Sequence, residues 1–294
     1  MAKFIRTASV GIRILNYDSD GAASGYSDDP IRVAGLRVSF QVQKNLAWST
    51  NTAKIQIWNL SDTARNRLNN FGDEVTLYAG YARGAGQELV YVGNTTSVSH
   101  AFNFPDIITT LECGDGERYA NQKHDSLSFK AGTSARYIIE YIAKSMGVSI
   151  SEFSSSPDLF YSQGFQFAGM TKEAIQKVCS YLNLQASFQN NTLQIIPVNG
   201  TVEQPPFQIN SNTGMIGIPQ RYSYKRQGFY QRGPAVGWKV AMLLEPSVLP
   251  GRRLEITSRN QSFNGIFRAE TVRHNGDTYG SNWQTDLEVT QVYP

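Results

Sequence analysis

The sequence is short of the residues that most often build reactive or covalently stapled sites. It holds 2 cysteines and 3 histidines in 294 residues. Cys113 and Cys179 cannot form a disulfide framework, and a chain of this length does not need one. They are expected to act as small buried hydrophobes. His100, His124 and His274 lie far apart, and none belongs to an HExxH pattern, so no zinc site is expected. Charge is scarce too. Charged residues make up 17%, against roughly 25% in an average soluble protein. The 27 Lys+Arg barely outnumber the 24 Asp+Glu, whereas a nucleic-acid binder gathers cations on one face. No apolar run approaches the ~18–20 residues of a membrane span. Arg13 interrupts the apolar stretch behind Lys3 and Arg6, which argues against a secretory leader. Synthesis in the cytoplasm as a soluble product, with no membrane insertion, is the expectation.

Catalytic and metal signatures are missing as well. There is no GxSxG elbow, no Walker loop and no GxGxxG; Gly84-Ala85-Gly86 reads as a hairpin tip. Asn16, Asp18, Asp20 and Gly21 resemble the start of a calcium loop, but Ser27 stands where a bidentate Glu is needed. Glu112, Asp115 and Glu117 cluster near a Gly-Asp-Gly turn, where acidic residues are common for conformational reasons, although paired carboxylates can hydrolyse glycosides. The reading is a non-enzyme with no catalytic residue, no metal and no cofactor.

What is abundant is material for sheet. Hydrophobic residues reach 40% and aromatics 12%, from 15 Tyr, 15 Phe and 4 Trp, with 25 Gly for turns. Over residues 1–117 the sets Val10/Ile12/Ile14, Leu36/Val38/Phe40/Val42, Ile55/Ile57 and Val75/Leu77/Ala79 alternate with polar neighbours. A period of two puts each set on one sheet face. Ser61 or Asp62 can cap a short helix over 63–68. Two-faced strands of this kind imply an antiparallel barrel or sandwich.

Residues 118–200 change period. Thr133 opens a helix with the stripe Ile138, Ile139, Ile142 and Met146, stopped at Gly147, and Thr171 opens a second with Ile175, Val178, Cys179 and Leu182. Asn190-Asn191 reads as a two-residue hairpin turn. Beyond a linker at 200–206, strands resume over 201–294. Phe267, Ala269, Thr271 and Arg273 share one face, the segment His274–Asp277 carries a tight-turn signal, and Trp283, Thr285, Leu287 and Val289 alternate with polar residues. The expected fold class is α+β, mostly β: two antiparallel β-barrels, at 1–117 and 201–294, flanking an α+β module at 118–200.

One run is both basic and aromatic. Arg221, Lys225, Arg226, Arg232 and Lys239 are interleaved with Tyr222, Tyr224, Phe229, Tyr230 and Trp238. Such mixtures bind nucleic acid by charge and stacking, and they equally anchor protein interfaces. The near-neutral chain favours a partner-protein surface, with nucleic acid and a solvated strand face as the alternatives. Arg221, Lys225, Arg226, Tyr230, Arg232 and Lys239 are the interface candidates.

Three stretches together resemble the baseplate hub proteins of contractile-tailed bacteriophages. They are Leu36 to Tyr81, including the segment Ile55-Gln56-Ile57-Trp58-Asn59-Leu60-Ser61; Phe129-Lys130-Ala131-Gly132-Thr133 with the two helices; and Gly265 to Glu288, with Phe267, Val272, His274, Asp277, Trp283 and Thr285. The resemblance implies two tail-tube-like barrels per chain and a homotrimer that adapts a sixfold tail tube to a threefold spike. It implies tail tube, spike and other baseplate proteins as partners, non-specific passage of DNA through a lumen, and residence in the virion after synthesis in the host cytoplasm. Ser128 to Thr133, followed by a helix and Gly147-Val148-Ser149, also looks like a peptidoglycan-binding LysM repeat, although Gly132 meets Thr133 without the usual acidic residue between them. A cell-wall-binding tail protein is the alternative, and a tail-associated hydrolase a third.

Overall fold

The computed structural model describes residues 5–48, 50–82, 86–115, 124–225 and 234–292. The first region contains β1 (Arg6–Arg13), β2 (Leu15–Tyr17), β3 (Ala23–Tyr26), β4 (Ile31–Ala34), β5 (Val38–Asn45), β6 (Thr52–Trp58), helix α1 (Asp62–Arg67), β7 (Glu74–Tyr81), β8 (Gln87–Asn103) and β9 (Asp106–Gly114). The middle contains β10 (His124–Phe129), β11 (Thr133–Ser134), α2 (Ala135–Met146), β12 (Ile150–Phe153), β13 (Phe160–Tyr161), β14 (Phe165–Met170), α3 (Thr171–Tyr181), β15 (Leu184–Gln189) and β16 (Thr192–Pro197). The last contains β17 (Phe207–Ile209), β18 (Met215–Lys225), β19 (Pro234–Leu243), β20 (Arg253–Ile256), β21 (Gly265–Asp277) and β22 (Trp283–Gln291). The class is α+β, mostly β, as the alternating apolar sets require.

Both ends of the chain build one sheet. Its order is β18–β19–β22–β21–β5–β6–β9–β8–β7–β1–β4, with β20 beside β21 and β17 beside β20. The seam is β5 against β21, antiparallel from Asn45 opposite Thr271 to Ser39 opposite Asp277. Among the described pairings none closes either half into a ring. The inward sets are those of the period-two pattern: Val38, Phe40 and Val42 on β5, Ile55 and Ile57 on β6, Val75, Leu77 and Ala79 on β7 are all buried. They form a first core, which also takes Leu244 and Trp283 from the last region. A second core lies under Val240, Leu254, Phe267, Val272 and Leu287.

Two expectations for β21 need correction. The tight turn read at His274–Asp277 is instead strand, and the chain reverses after Asp277. Gly276 serves packing there: a Cβ would stand 2.3 Å from the Phe40 ring and 2.9 Å from Trp283. The single face read for Phe267, Ala269, Thr271 and Arg273 is broken by a register shift between Ala269 and Thr271. Phe267 and Ala269 face inward, then Val272 and His274 do, because one extra residue reverses the phase of everything after it. Helix α1 starts one residue earlier than read, with Ser61 Oγ accepting from the Ala64 amide.

The middle region carries its own core. The stripe Ile138, Ile139, Ile142 and Met146 of α2 packs with Ile175, Val178 and Cys179 of α3 and with Phe188, Leu193 and Ile195 of β15–β16. The helix read as opening at Thr133 begins at Ala135: Thr133 and Ser134 form β11, Ser134 caps α2 through its Oγ, and Gly147 ends it with φ 75°. The Asn190-Asn191 turn forms as read, with φ 55° and 60°, the signature of a two-residue hairpin whose twist matches its strands. The small sheets β10–β14, β11–β13 and β12–β16–β15 make no pairing with the large sheet among the described residues.

Candidate assembly surfaces

The outward face of the large sheet is polar across the seam. Because directly paired residues share a face, register alone gives its rows. One row runs Leu243, Gln284, Asn275, Gln41, Lys54 and Glu112, from β19 to β9. A second runs Ala241, Asp286, Arg273, Gln43 and Thr52. Cations and anions alternate and pair. Arg37 Nη2 lies 2.8 Å from Asp277 Oδ2, Arg273 Nη1 3.0 Å from Glu288 Oε1, and Lys239 Nζ 3.8 Å from the same oxygen. Burial pushes the Asp277 carboxyl up, but Arg37 and the amides of Tyr279 and Gly280 outweigh it and hold the group below its usual range. Arg37, Lys54, Lys239 and Arg273 stand against Glu112, Asp277, Asp286 and Glu288, so the face carries no net sign. A shallow depression of about 440 Å³ opens on it between Gln41, Lys54, Glu112 and Arg273.

The basic–aromatic run falls on the β18–β19 hairpin at one end of this sheet. Arg226, Tyr230 and Arg232 lie outside the described residues, and Lys225 is described only by its backbone pairing with Pro234. Arg221 is exposed and pairs with Trp238, while Lys239 pairs with Gln220. Adjacent positions face opposite ways, so Arg221 and Lys239 project from opposite sides of the hairpin. Lys239 joins the polar face and sits 5.5 Å from the Tyr222 ring. At its base β18 exposes Ile216 and Ile218 around Gly217, with φ 71°, and the next residue, Pro219, is buried. A proline and a register shift blunt this edge against indiscriminate pairing.

Two further surfaces left no mark in the sequence reading. Strand β8 pairs with β7 over its first part and with β9 beyond Asn94. Its register shifts against β7 at Leu77/Tyr78 and against β9 at Thr95/Ser97, and between the shifts Gly93 leaves no room for a side chain: a Cβ would meet Tyr91 Oη at 2.2 Å and Gly114 O at 2.7 Å. The β8–β9 hairpin then projects Phe102, 73% exposed, and Phe104, fully exposed. Asn59, at φ 57°, braces it by accepting from the Ile107 amide at 2.9 Å and donating to Asp106 at 2.8 Å. On the middle region, exposed Tyr137, Tyr141 and Tyr181 join through Phe129, Phe165 and Tyr161, with Tyr161 stacked on Tyr181 at 4.5 Å, and the exposed Phe160 accepts from the Tyr181 hydroxyl through its carbonyl at 3.3 Å. The readable signal was Tyr137 and Tyr141 one turn apart on α2, off its apolar stripe.

The remaining sequence candidates do not converge on one site among the described residues. Asp18 Oδ1 accepts the amides of Asp20 and Ala22, a self-closed turn. Glu112 lies on the outer face, whereas Asp115 is fully buried; Glu117 is outside the described residues. His100 is exposed, His274 is buried, and the His124 side chain is not described. Both cysteines are free and buried, and burial pushes their thiols up to about 12. Among the described residues no group of His, Cys, Asp and Glu could hold a metal, and no helix is long and apolar enough to cross a membrane.

No curated protein matches the sequence. The fold is shared with a tail protein from Neisseria meningitidis MC58, at a TM-score of 0.65 and 12% identity over 98% of this chain and 99% of that one. It is shared with the 43 kDa tail protein of prophage MuSo2 from Shewanella oneidensis, at 0.63 and 8% over 97% and 98%. The E. coli c3393 protein, a component of the type VI secretion system, matches at 0.57 and 10% over 88% of this chain and 74% of that one. The family described as baseplate hub gp41 matches residues 24–275, most of the chain. The chain therefore belongs to the baseplate hub gp41 family, structural proteins of the phage tail.

Proposed function

We propose that the chain is the ring-forming subunit of a contractile-tail hub: a homotrimer whose two β-rich regions per chain present six similar units to a sixfold tube and a threefold platform to a spike. Its domains in this reading are the regions 1–117, 118–200 and 201–294. The observation that carries the reading is the seam. A single sheet spans both β-rich regions and offers one uninterrupted, charge-balanced polar face across them. Such a face suits the wall of a channel, because DNA binding rests on phosphate contacts by unpaired cations, and here each cation stands by an anion. The open ends of the sheet, β4 and β18, and the exposed Phe102–Phe104 tip support the reading as surfaces that ring neighbours would cover. No catalytic step enters this role.

Mass measurement with negative-stain imaging of the purified protein tests it. A threefold ring is expected, alone or with a spike or tube protein added; a monomer under all of these conditions would count against the hub. Charge reversal R226E/R232E should weaken assembly if the β18–β19 run is an interface, and unchanged assembly removes that role. Peptidoglycan pull-down separates the cell-wall-binding alternative, since a hub should not be retained.

A further inference from the structure

The middle region sits on the large sheet through a joint that is chiefly polar, and its geometry is that of a clip. The hairpin β15–β16 turns one face to α2 and α3 and the other, with Ser187, Gln189 and Gln194, to the sheet. Its Asn190-Asn191 tip reaches the buried Asp115 carboxylate. Oδ2 accepts the Asn190 amide at 2.7 Å and Oδ1 the Asn191 amide at 2.6 Å. Lys44, buried at the end of β5, donates to Asn190 Oδ1 at 2.7 Å. Asn51 Nδ2 ties the grip together by donating to Asp115 Oδ2 at 3.1 Å and Phe188 O at 2.6 Å. Gln189 Nε2 donates to Asn45 O at 2.9 Å. Away from the tip, Gln194 donates to Pro250 O at 3.0 Å, and in the linker that leaves the module the Val202 amide donates to Gly251 O at 2.9 Å, so that the exit of the module is pinned to the sheet beside the joint. The apolar part of the seat is small: Trp48 against Phe188 at 5.4 Å, and Leu46 with Ile196 and Val202.

We infer that the α+β module is a detachable body, held on the sheet by a latch in which the Asp115 carboxylate grips the Asn190–Asn191 turn. The module keeps a complete core of its own, and no described strand pairing crosses the joint. Opening therefore breaks no ladder. Separation returns water to Lys44, Asp115, Asn51 and Gln189, which recovers the desolvation cost that a buried charge pair carries. An apolar seat would recover nothing of the kind. Polar joints between bodies of one chain are those that move. The inference stands whether or not the chain forms a ring.

Residue-resolved hydrogen exchange on the full chain tests it. D115N should speed exchange at least tenfold at the Asn190 and Asn191 amides. It should do so also at Val202, whose acceptor is Gly251 and not the carboxylate, while amides within α2 and α3 keep their protection. Acceleration confined to Asn190 and Asn191 would reduce Asp115 to a local turn cap and overturn the latch. Acceleration of α2 and α3 in step with Val202 would mean unfolding of the module and would overturn it equally. N190G is the gentler second variant, because it strips the acceptor of Lys44 while keeping the amide and the positive φ. At least a threefold rise at Val202 is expected, and no change there in either variant sinks the proposal.

Discussion

His274 shows how one side chain can set a pH limit on the whole fold. It is buried on β21 with Nδ1 3.0 Å from Thr285 Oγ1. Burial, and then the Lys44 ammonium, push its pKa down to about 3 from 6.5. The folded protein therefore holds it neutral, while the unfolded chain takes up a proton first as pH falls. Stability is full above about pH 6.5 and is lost as pH drops toward 3. Between pH 7 and pH 4.5 this one group should cost about 2–3 kcal/mol. H274Q, which keeps a polar partner for Thr285, should flatten that part of the urea-midpoint profile; a slope equal to wild type would refute the assignment. Gly276 gives a second test. G276A drives a methyl into Phe40 and Trp283 and should lower stability by about 1–3 kcal/mol in urea unfolding, whereas a mere turn glycine would leave it near zero. Neither role was legible beforehand. An Asn-Gly pair signals a turn when only local geometry is known, and the Phe40 ring that claims the space arrives from 236 positions away in sequence. Lys44 was more legible than it looked: it continues the inward phase of Val38, Phe40 and Val42, so a lysine in core phase pointed to a buried polar site.

Elements with local causes were the readable ones. Helix α2 has a four-residue apolar stripe and a glycine at its end, both near in sequence, and the structure follows them; its start falls two residues past Thr133, because Thr133 and Ser134 pair with β13 and Ser134 supplies the cap. Ser134 Oγ accepts the Tyr137 amide at 3.1 Å and also bonds Asp158. S134A should therefore cost about 1 kcal/mol, read as a lower thermal midpoint and faster exchange in the first turn of α2; an unchanged midpoint would show that Tyr137 and Phe129 hold that end unaided. The Asn190-Asn191 turn was legible for the same reason, since two consecutive positive φ angles select those residues. The change of partner along β8 was not. Gly93 is demanded by Tyr91 Oη and by a carbonyl on β9, and nothing within the strand announces where its pairing passes from β7 to β9. The register shift in β21 belongs to the same class, because an inserted residue is visible only once the partner strand is known. That shift also brings Val272 and His274 onto the inward face already held by Phe267 and Ala269, and the stretch beyond it carries the seam.

At the scale of the molecule, sequence patterning located β-rich stretches at both ends and a helical stretch between them, but not the pairing of β5 with β21 that makes the ends continuous. Long-range pairing leaves no periodic trace in either strand alone. Its consequence is electrostatic. The face it completes sets four cations against four anions in adjoining rows, so a passing polyanion meets no net attraction over a span of six strands. Removing that balance should create a DNA binder. The variant E112K/D286K/E288K changes the exposed Glu112 and the partly buried Asp286 and Glu288, all on the outer face and none in the core, and the partners of Glu288, Lys239 and Arg273, are solvent-exposed, so the fold should survive. Fluorescence anisotropy with a short duplex at low salt should find little binding by the wild-type chain and clear binding by the variant, weakening steeply as salt rises because each neutralised phosphate releases counterions. Strong salt-sensitive binding by the wild-type protein would mean that cations off this face, such as Arg221, govern contact with DNA and that neutrality of this face does no work. Equal, weak binding by both would place the face out of reach of the duplex and remove it as a channel wall.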